Sequence, residues 1–168
     1  MSDLTFLDGY TGQTLDELIA LEASHRVDSL VLAMEAALEQ RIERDGPGTI
    51  VPEERVILAV EALEREVNNG GYDQFFRNSS RQYAGEIESA LEAIGCSQQA
   101  VISARAIKAL GIMGRLTEDA LERAVEDGGE ALAENLQACD NDFYAATEDI
   151  VGQLFAFAKT NRSRIRLR

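Results

Sequence analysis

Asn68-Asn69-Gly70-Gly71-Tyr72-Asp73-Gln74-Phe75-Phe76-Arg77-Asn78 is the stretch that decides how the helices of this chain are arranged. Asn and Gly both tolerate a left-handed backbone, so the Asn-Asn-Gly-Gly run predicts the end of one helix. A short second helix is predicted to follow at once, over Tyr72–Asn78. The favoured interpretation is a tight corner between the two helices, with Phe75 and Phe76 filling the core.

The amide side chains of this corner support two interpretations. In the structural one, Gly70 and Gly71 make the turn, and the amides satisfy backbone groups that the turn leaves without partners. In the functional one, Asn69, Gln74 and Asn78 form a polar pocket for a small ligand or substrate. We favour the structural interpretation, because glycines followed by two large aromatic residues are typical of a packed turn.

Helical signals continue outward from this corner in both directions. Thr14 and Glu17 form a capping box, and Pro52 with Glu53 suits the first turn of another helix. Besides Tyr72–Asn78, the predicted helices cover roughly Leu15–Ser24, Val27–Ile42, Pro52–Val67, Tyr83–Ile94, a segment capped by Ser97 with a small-residue face (Ala100, Ala104, Ile107, Gly111, Gly114), Thr117–Gln137, and a last helix lined by Phe143, Ile150, Leu154 and Phe157. No alternating strand pattern competes. The prediction is an all-α, single-domain bundle of about eight helices over residues 1–168, with a basic, frayed tail at 160–168.

The charge of the chain is strongly negative, with 30 acidic and 16 basic residues and a formal net charge of −14. Five of the bases fall in the last ten residues, where there is no acid, so residues 1–158 carry a net charge of −19. Such a surface repels nucleic acids and anionic membranes and attracts basic proteins. We therefore expect no direct binding to nucleic acid or membrane.

Acidic residues are concentrated in the predicted helix Thr117–Gln137. The members are Glu118, Asp119, Glu122, Glu126, Asp127, Glu130 and Glu134. The five glutamates recur every four residues, opposite an apolar stripe, so the helix is predicted to be amphipathic with its carboxylates outward. Seven acids over about 24 Å of helix give one per roughly 3.5 Å, close to the phosphate spacing of a DNA strand, about 3.4 Å. A break at Gly128-Gly129 would divide this row, and a plain solvated face is the competing interpretation.

Signatures of catalysis and metal binding are weak. Glu22 and His25 match half of a dimetal motif, but His25 is the only histidine, so a second half cannot exist. Asp140-Asn141-Asp142 lacks the glycine of a calcium loop, and we expect it to cap the last helix. A catalytic triad and a phosphate-binding glycine loop are also missing. We predict a protein that is not an enzyme and carries no metal or cofactor.

The expected compartment is the cytoplasm. The start of the chain, Met1-Ser2-Asp3-Leu4, does not resemble a secretory signal, and no apolar run approaches the length of a membrane span. Cys96 and Cys139 have no metal-ligand spacing, so two buried free thiols are expected.

The corner stretch also resembles the signature of a bacterial all-helical family, largely of unknown function, that includes a neisserial DNA-mimic protein. The resemblance begins at Glu64 and runs through Asn78, with further matches at Tyr10–Leu15, Ala90–Gly95 and Asp140–Tyr144. It implies an all-helical fold and an acidic surface. For the DNA-mimic member it implies dimerisation and binding to a DNA-binding transcription factor.

These observations make a DNA mimic the leading hypothesis: the acids of Thr117–Gln137 would stand in for phosphates on the DNA-binding surface of a basic partner, such as a transcription regulator. Glu35, Glu39, Glu43 and Glu61 are candidates to extend this surface. One alternative is an inhibitor or immunity-type protein against a basic enzyme such as a nuclease, which would use the same acids. A second alternative is a small-molecule binder or enzyme that uses the Asn69–Asn78 corner.

Overall fold

A computed structural model describes residues 3–168, so Met1 and Ser2 at the start of the chain lie outside the described residues. The described part contains eight α-helices and no strand longer than a single bridge between Thr5 and His25. The helices are α1 (Leu15–Ala20), α2 (Val27–Asp45), α3 (Pro52–Arg77), α4 (Ile87–Ala93), α5 (Ser97–Ala109), α6 (Glu118–Asp127), α7 (Gly129–Ala145) and α8 (Ile150–Thr160). The predicted all-α class with about eight helices is confirmed. None of the helices described over 3–168 has the length and apolar character needed to cross a membrane.

The chain falls into two compact units. The first comprises the chain up to Glu61 together with Asp149–Arg168, and the second comprises Ala62–Glu148. The division falls within α3, whose first ten residues belong to the first unit.

The first unit packs α1, α2, the start of α3 and α8 around an aliphatic core. Its fully buried side chains include Leu18, Leu30, Met34, Leu38 and Leu154. The predicted capping box opens α1, since the Thr14 hydroxyl accepts from Glu17 N (3.2 Å) and Glu17 accepts from Thr14 N (2.7 Å). These contacts satisfy two backbone donors that the helix start would otherwise leave open.

A buried ion pair lies inside the first unit. Glu54 in the first turn of α3 faces Arg41 of α2, and both side chains are almost fully buried. The guanidinium meets both carboxylate oxygens, and the carboxylate also accepts from Val51 N (3.0 Å) and Arg166 N (2.7 Å). A carboxylate with this many donors is well compensated for its loss of water.

The C-terminal segment is ordered, so the prediction of a frayed tail is wrong. Ile165 and Leu167 are buried, while the backbone of Arg166 bonds to Glu54 and Arg41. The prediction rested on the run of basic side chains, and the apolar residues that alternate with them were overlooked.

The second unit packs the rest of α3 with α4, α5, α6 and α7. Its core is more aromatic, with Tyr72, Phe75, Phe76 and Phe143 in mutual ring contacts. The start of α5 differs from the prediction, because Cys96 and not Ser97 occupies the cap position. The side chain of Cys96 makes no capping hydrogen bond. The carboxylate of Glu148 accepts instead from the backbone N–H groups of Gln98 and Gln99, both at 2.8 Å.

Two further element boundaries differ from the predictions. Gly111 and Gly114 lie in the loop after α5 with positive φ, so they do not extend a small-residue face of that helix. Asp140-Asn141-Asp142 lies within α7 and not at the start of the last helix. The cap of α8 is Asp149, whose carboxylate accepts from Gly152 N at 2.9 Å.

Candidate functional site

The corner that the sequence predicted is present as a break in the backbone at two glycines. Gly70 (φ −155°, ψ 18°) and Gly71 (φ 75°, ψ −175°) leave helical geometry inside α3. Phe75 and Phe76, just beyond the break, are fully buried. The structural interpretation of the glycines and the phenylalanines is therefore confirmed.

A buried carboxylate fastens the corner to α7. Asp140 accepts from the backbone N–H of Tyr72 at 2.8 Å, directly after the glycines. The Tyr72 hydroxyl meets Ser103 of α5 at 2.7 Å, and the Tyr144 hydroxyl donates to the carbonyl of Val67. The Asp-Asn-Asp-Phe-Tyr stretch thus packs against the glycine corner.

Two of the three amides in the corner bind a carboxylate rather than backbone groups. Gln74 Nε2 and Asn78 Nδ2 both donate to Glu66 Oε2, at 2.7 and 2.8 Å, and Glu66 is buried. Asn69 is exposed and takes no part in this cluster. The polar groups of the corner are therefore engaged with one another, which favours a structural role over a ligand pocket.

Replacing Gly71 by Ala is expected to destabilise the protein by about 2–3 kcal/mol. The backbone there is left-handed, and an added Cβ would lie 2.3 Å from Asp140 Oδ2. Gly111→Ala is the matched control: its φ is also positive, but no atom lies within 4 Å of the added Cβ. We expect that variant to lose only about 1 kcal/mol in urea unfolding. Equal losses would contradict a specific fit between Gly71 and Asp140.

Asp140 gives the fold an unusual pH dependence. Burial raises the pKa of this carboxyl, and the bond from Tyr72 N offsets the rise only in part. The native state therefore holds the proton more tightly than the unfolded chain, so this group lowers stability as pH rises from the unfolded pKa through the native one. Asp140→Asn keeps an acceptor for Tyr72 N and should be at least as stable as wild type at pH 7. Stability curves for the two proteins that stay parallel from pH 3 to 7 would contradict this assignment.

The acidic surface begins on α6, which is amphipathic as predicted. Thr117 caps it by accepting from Ala120 N at 3.2 Å, while Leu121 and Val125 are buried beneath it. All seven predicted acids are exposed: Glu118, Asp119, Glu122, Glu126, Asp127, Glu130 and Glu134. We call this set the α6–α7 acids.

The prediction that one helix carries all seven acids is wrong. The helix ends at Asp127, and Gly129 (φ +60°) begins α7. Gly128 also brings the chain close to Leu132, whose Cδ2 would lie 2.2 Å from an added Cβ. The row of glutamates therefore divides into three on α6 and two on α7. A phosphate-like spacing of acids is therefore limited to α6, where five acids lie along about 13 Å of helix.

Arg77 at the end of the corner and Arg81 just after it lie against the middle of α6. Arg81 Nη2 is 3.6 Å from Glu122 Oε1, and the charge of Glu126 contributes to the raised pKa of Arg77, after a hydrogen bond from Arg77 to Asp73. A cavity of about 120 Å³ lies among these side chains, lined also by Phe76 and Val125. Glu122 is therefore partly neutralised by an ion pair, whereas Glu126 lies beside Arg77 in the cavity lining but forms no ion pair within residues 3–168. Local sequence patterns did not predict this arrangement, because Arg81 and Arg77 precede Glu122 and Glu126 by 41 and 49 residues in the chain.

The other five α6–α7 acids are Glu118, Asp119, Asp127, Glu130 and Glu134. Within residues 3–168 they form no ion pair. Two of the acids suggested as extensions are buried, since Glu35 and Glu61 expose only 6% and 3% of their surface. Those two assignments are wrong, while Glu39 and Glu43 are exposed on α2.

The half-motif at Glu22 and His25 is engaged in structural contacts. Glu22 binds Lys159 at 2.8 Å, and His25 Nδ1 meets the Ser24 hydroxyl at 2.8 Å. The described residues contain no group of three or more His, Cys, Asp or Glu side chains placed to hold a metal ion. Cys96 and Cys139 are buried thiols that form no disulfide within residues 3–168, as predicted.

The chain belongs to the family of DMP19-like proteins, because the model of that family matches residues 48–161, more than half of the sequence. DMP19 is a DNA-mimic family, so the resemblance noted at the glycine corner is confirmed. No curated protein and no solved structure gives a significant match. The matched segment includes the corner, Asp140 and all seven α6–α7 acids.

Proposed function

We propose that this protein is a non-enzymatic DNA mimic, which occupies the DNA-binding surface of a basic partner such as a transcription regulator. The observation that carries the proposal is the exposed, amphipathic α6, whose outer face bears five acids and one base within ten residues. Membership of a DNA-mimic family supports the same conclusion.

The energetics of such a contact would resemble those of protein–DNA binding. A DNA-binding surface is lined with Lys and Arg side chains that contact phosphates, which follow one another roughly every 3.4 Å along a strand. The acids along α6 offer a carboxylate about every 2.7 Å, less the charge of Arg123. Attraction between such surfaces speeds association and weakens as salt is added.

The structure favours some acids over others as phosphate substitutes. Glu122 already pairs with Arg81, and Glu126 lies beside Arg77 in the lining of the same cavity, so the bases of a partner would compete with these arginines. The other five acids form no ion pair within residues 3–168 and are therefore available to a partner. We therefore assign the larger share of binding to Glu118, Asp119, Asp127, Glu130 and Glu134.

The Asn69–Asn78 corner is a poorer candidate for function. Its aromatic residues are core, and the amides of Gln74 and Asn78 are held by Glu66. An inhibitor of a basic enzyme would use the same α6–α7 acids, so it differs from our proposal in the partner and not in the surface.

A pull-down from cell lysate at low and high salt tests the proposal. We expect DNA-binding proteins to be retained at low salt and released at high salt, since the contact is dominated by charge. Recovery of a basic enzyme such as a nuclease, instead of a transcription regulator, would favour the inhibitor alternative. Recovery of no basic protein at low salt would contradict both.

A further inference from the structure

The segment after α8 holds four arginines in a defined arrangement. Arg162, Arg164, Arg166 and Arg168 occur at alternate positions, with no acid among them. Ile165 and Leu167 point into the first unit, exposing 4% and 3% of their surface. The arginines at 164, 166 and 168 are therefore directed outward, as the alternation of an extended chain requires.

The backbone of this segment is fixed by the buried ion pair of the first unit. Arg166 N donates to Glu54 Oε1 at 2.7 Å, and the Arg166 carbonyl accepts from Arg41. Arg164 is anchored separately on Glu53, with Nη1 and Oε1 2.7 Å apart. The backbone is thus fixed by contacts that do not use the guanidinium of Arg166.

Three of the arginines line a groove of about 260 Å³ beside the start of α1. The lining residues are Thr14, Leu15, Asp16, Arg162, Ile165, Arg166, Leu167 and Arg168. Three guanidiniums and one carboxylate line the groove, and the Glu17 carboxylate lies near enough to feel the charge of Arg168, so the positive charges outnumber the negative ones here in a protein of net charge −14.

The arginines of the groove make only weak contacts with other groups of the chain. Arg162 approaches Asp16 no closer than 4.0 Å, and both side chains are mostly exposed. Arg168 donates to the carbonyl of Gly12 at 3.2 Å. The side chain of Arg166 forms no hydrogen bond or ion pair with residues 3–168. An exposed pair such as Arg162–Asp16 contributes little and yields readily to a stronger anion.

We propose that this groove is a binding site for the phosphate group of a small ligand. Guanidinium groups bind phosphate in a forked geometry, with stronger hydrogen bonds than neutral donors make. The volume lies just below the roughly 300 Å³ of typical ligand pockets, which suits a small anion. A polyanion such as DNA fits less well, because it would be repelled by the surrounding negative charge.

This site is independent of the DNA-mimic proposal. Its basic side chains and Thr14–Asp16 fall outside the matched segment 48–161, whereas the α6–α7 acids fall inside it. Loss of either site would leave the other in place, so the two proposals fail separately.

Titration of the full chain with inorganic phosphate, at matched ionic strength and with arginine side-chain NMR signals as the readout, tests the site. We expect saturable shifts at Arg162, Arg166 and Arg168, and an affinity lowered by about tenfold or more in Arg166→Gln. The Arg166 side chain does not hold the tail, so this variant should fold; Arg162→Gln provides a second one. Arg123→Gln, an exposed arginine of α6, is the control and should bind phosphate as wild type does.

Three results would overturn the proposal. The first is the absence of saturable binding, and the second is saturable binding that Arg166→Gln and Arg162→Gln leave unchanged. The third comes from a parallel titration with a short DNA duplex. If the duplex binds more tightly than phosphate and depends on the same arginines, the groove is a nucleic-acid contact and not a small-ligand site.

Discussion

Replacing Glu54 by Gln is expected to destabilise the protein by about 3–5 kcal/mol, because it leaves the buried guanidinium of Arg41 without a counter-charge. The side chain of Glu54 exposes only 1% of its surface, and that of Arg41 exposes 8%. Gln has nearly the same shape, but it has only one acceptor oxygen. The carboxylate of Glu54 has two oxygens, which together accept from four N–H groups. The C-terminal segment should loosen as well, since Arg166 N also donates to this carboxylate.

Urea unfolding measures this effect, and Glu53→Gln is the matched control one residue away. Glu53 binds Arg164, whose side chain is 70% exposed, and this bond lowers the pKa of Glu53. Solvent screens that pair, so we expect a much smaller loss of stability from the control. A similar unfolding midpoint for Glu54→Gln and Glu53→Gln would show that the buried pair does not hold the first unit together.

The combined substitution Asp127→Lys and Glu134→Lys is expected to weaken partner binding by about a hundredfold or more. Both acids are exposed and form no ion pair within the described chain. The fold should tolerate these changes, because Lys suits the C-terminal end of α6 and pairs favourably with Glu130 four residues before position 134. Reversal at Glu122 or Glu126 is less informative, since a new lysine there would face Arg81 or Arg77.

Glu88→Lys with Glu92→Lys is the control for this experiment, because it changes net charge by the same amount on exposed positions of α4. Affinity measured across a salt series should become less salt-dependent for the α6–α7 variant than for the control. If both variants lose affinity equally, the interaction depends on overall charge and not on the α6–α7 acids.

The glycine corner shows how much of this fold local sequence determines. Two adjacent glycines before a pair of phenylalanines allow few arrangements, and the break and the buried rings followed as predicted. The predicted helix boundaries did not, since the segments on both sides of the break form the single helix Pro52–Arg77. The capping box at Thr14 and the cap at Thr117 could also be predicted from sequence, since each depends on residues three positions apart.

Contacts between distant residues were not predictable in this way. Glu35 and Glu61 follow the same helical spacing as exposed acids, and only packing shows that they are buried. The Gly128-Gly129 pair indicated where the acidic helix could break, but the local sequence did not determine whether packing would keep it continuous. The partners of Glu66, Asp140 and Glu54 lie on other helices or across a turn, so their roles required the tertiary structure.

The central claim is that the α6–α7 acids occupy the DNA-binding surface of the partner. Competition measures it most directly: the partner recovered at low salt is bound to labelled duplex DNA, and this protein is added. We expect the DNA to be released in proportion to the protein added, and Asp127→Lys with Glu134→Lys to abolish this release. A stable ternary complex of partner, DNA and this protein would contradict it.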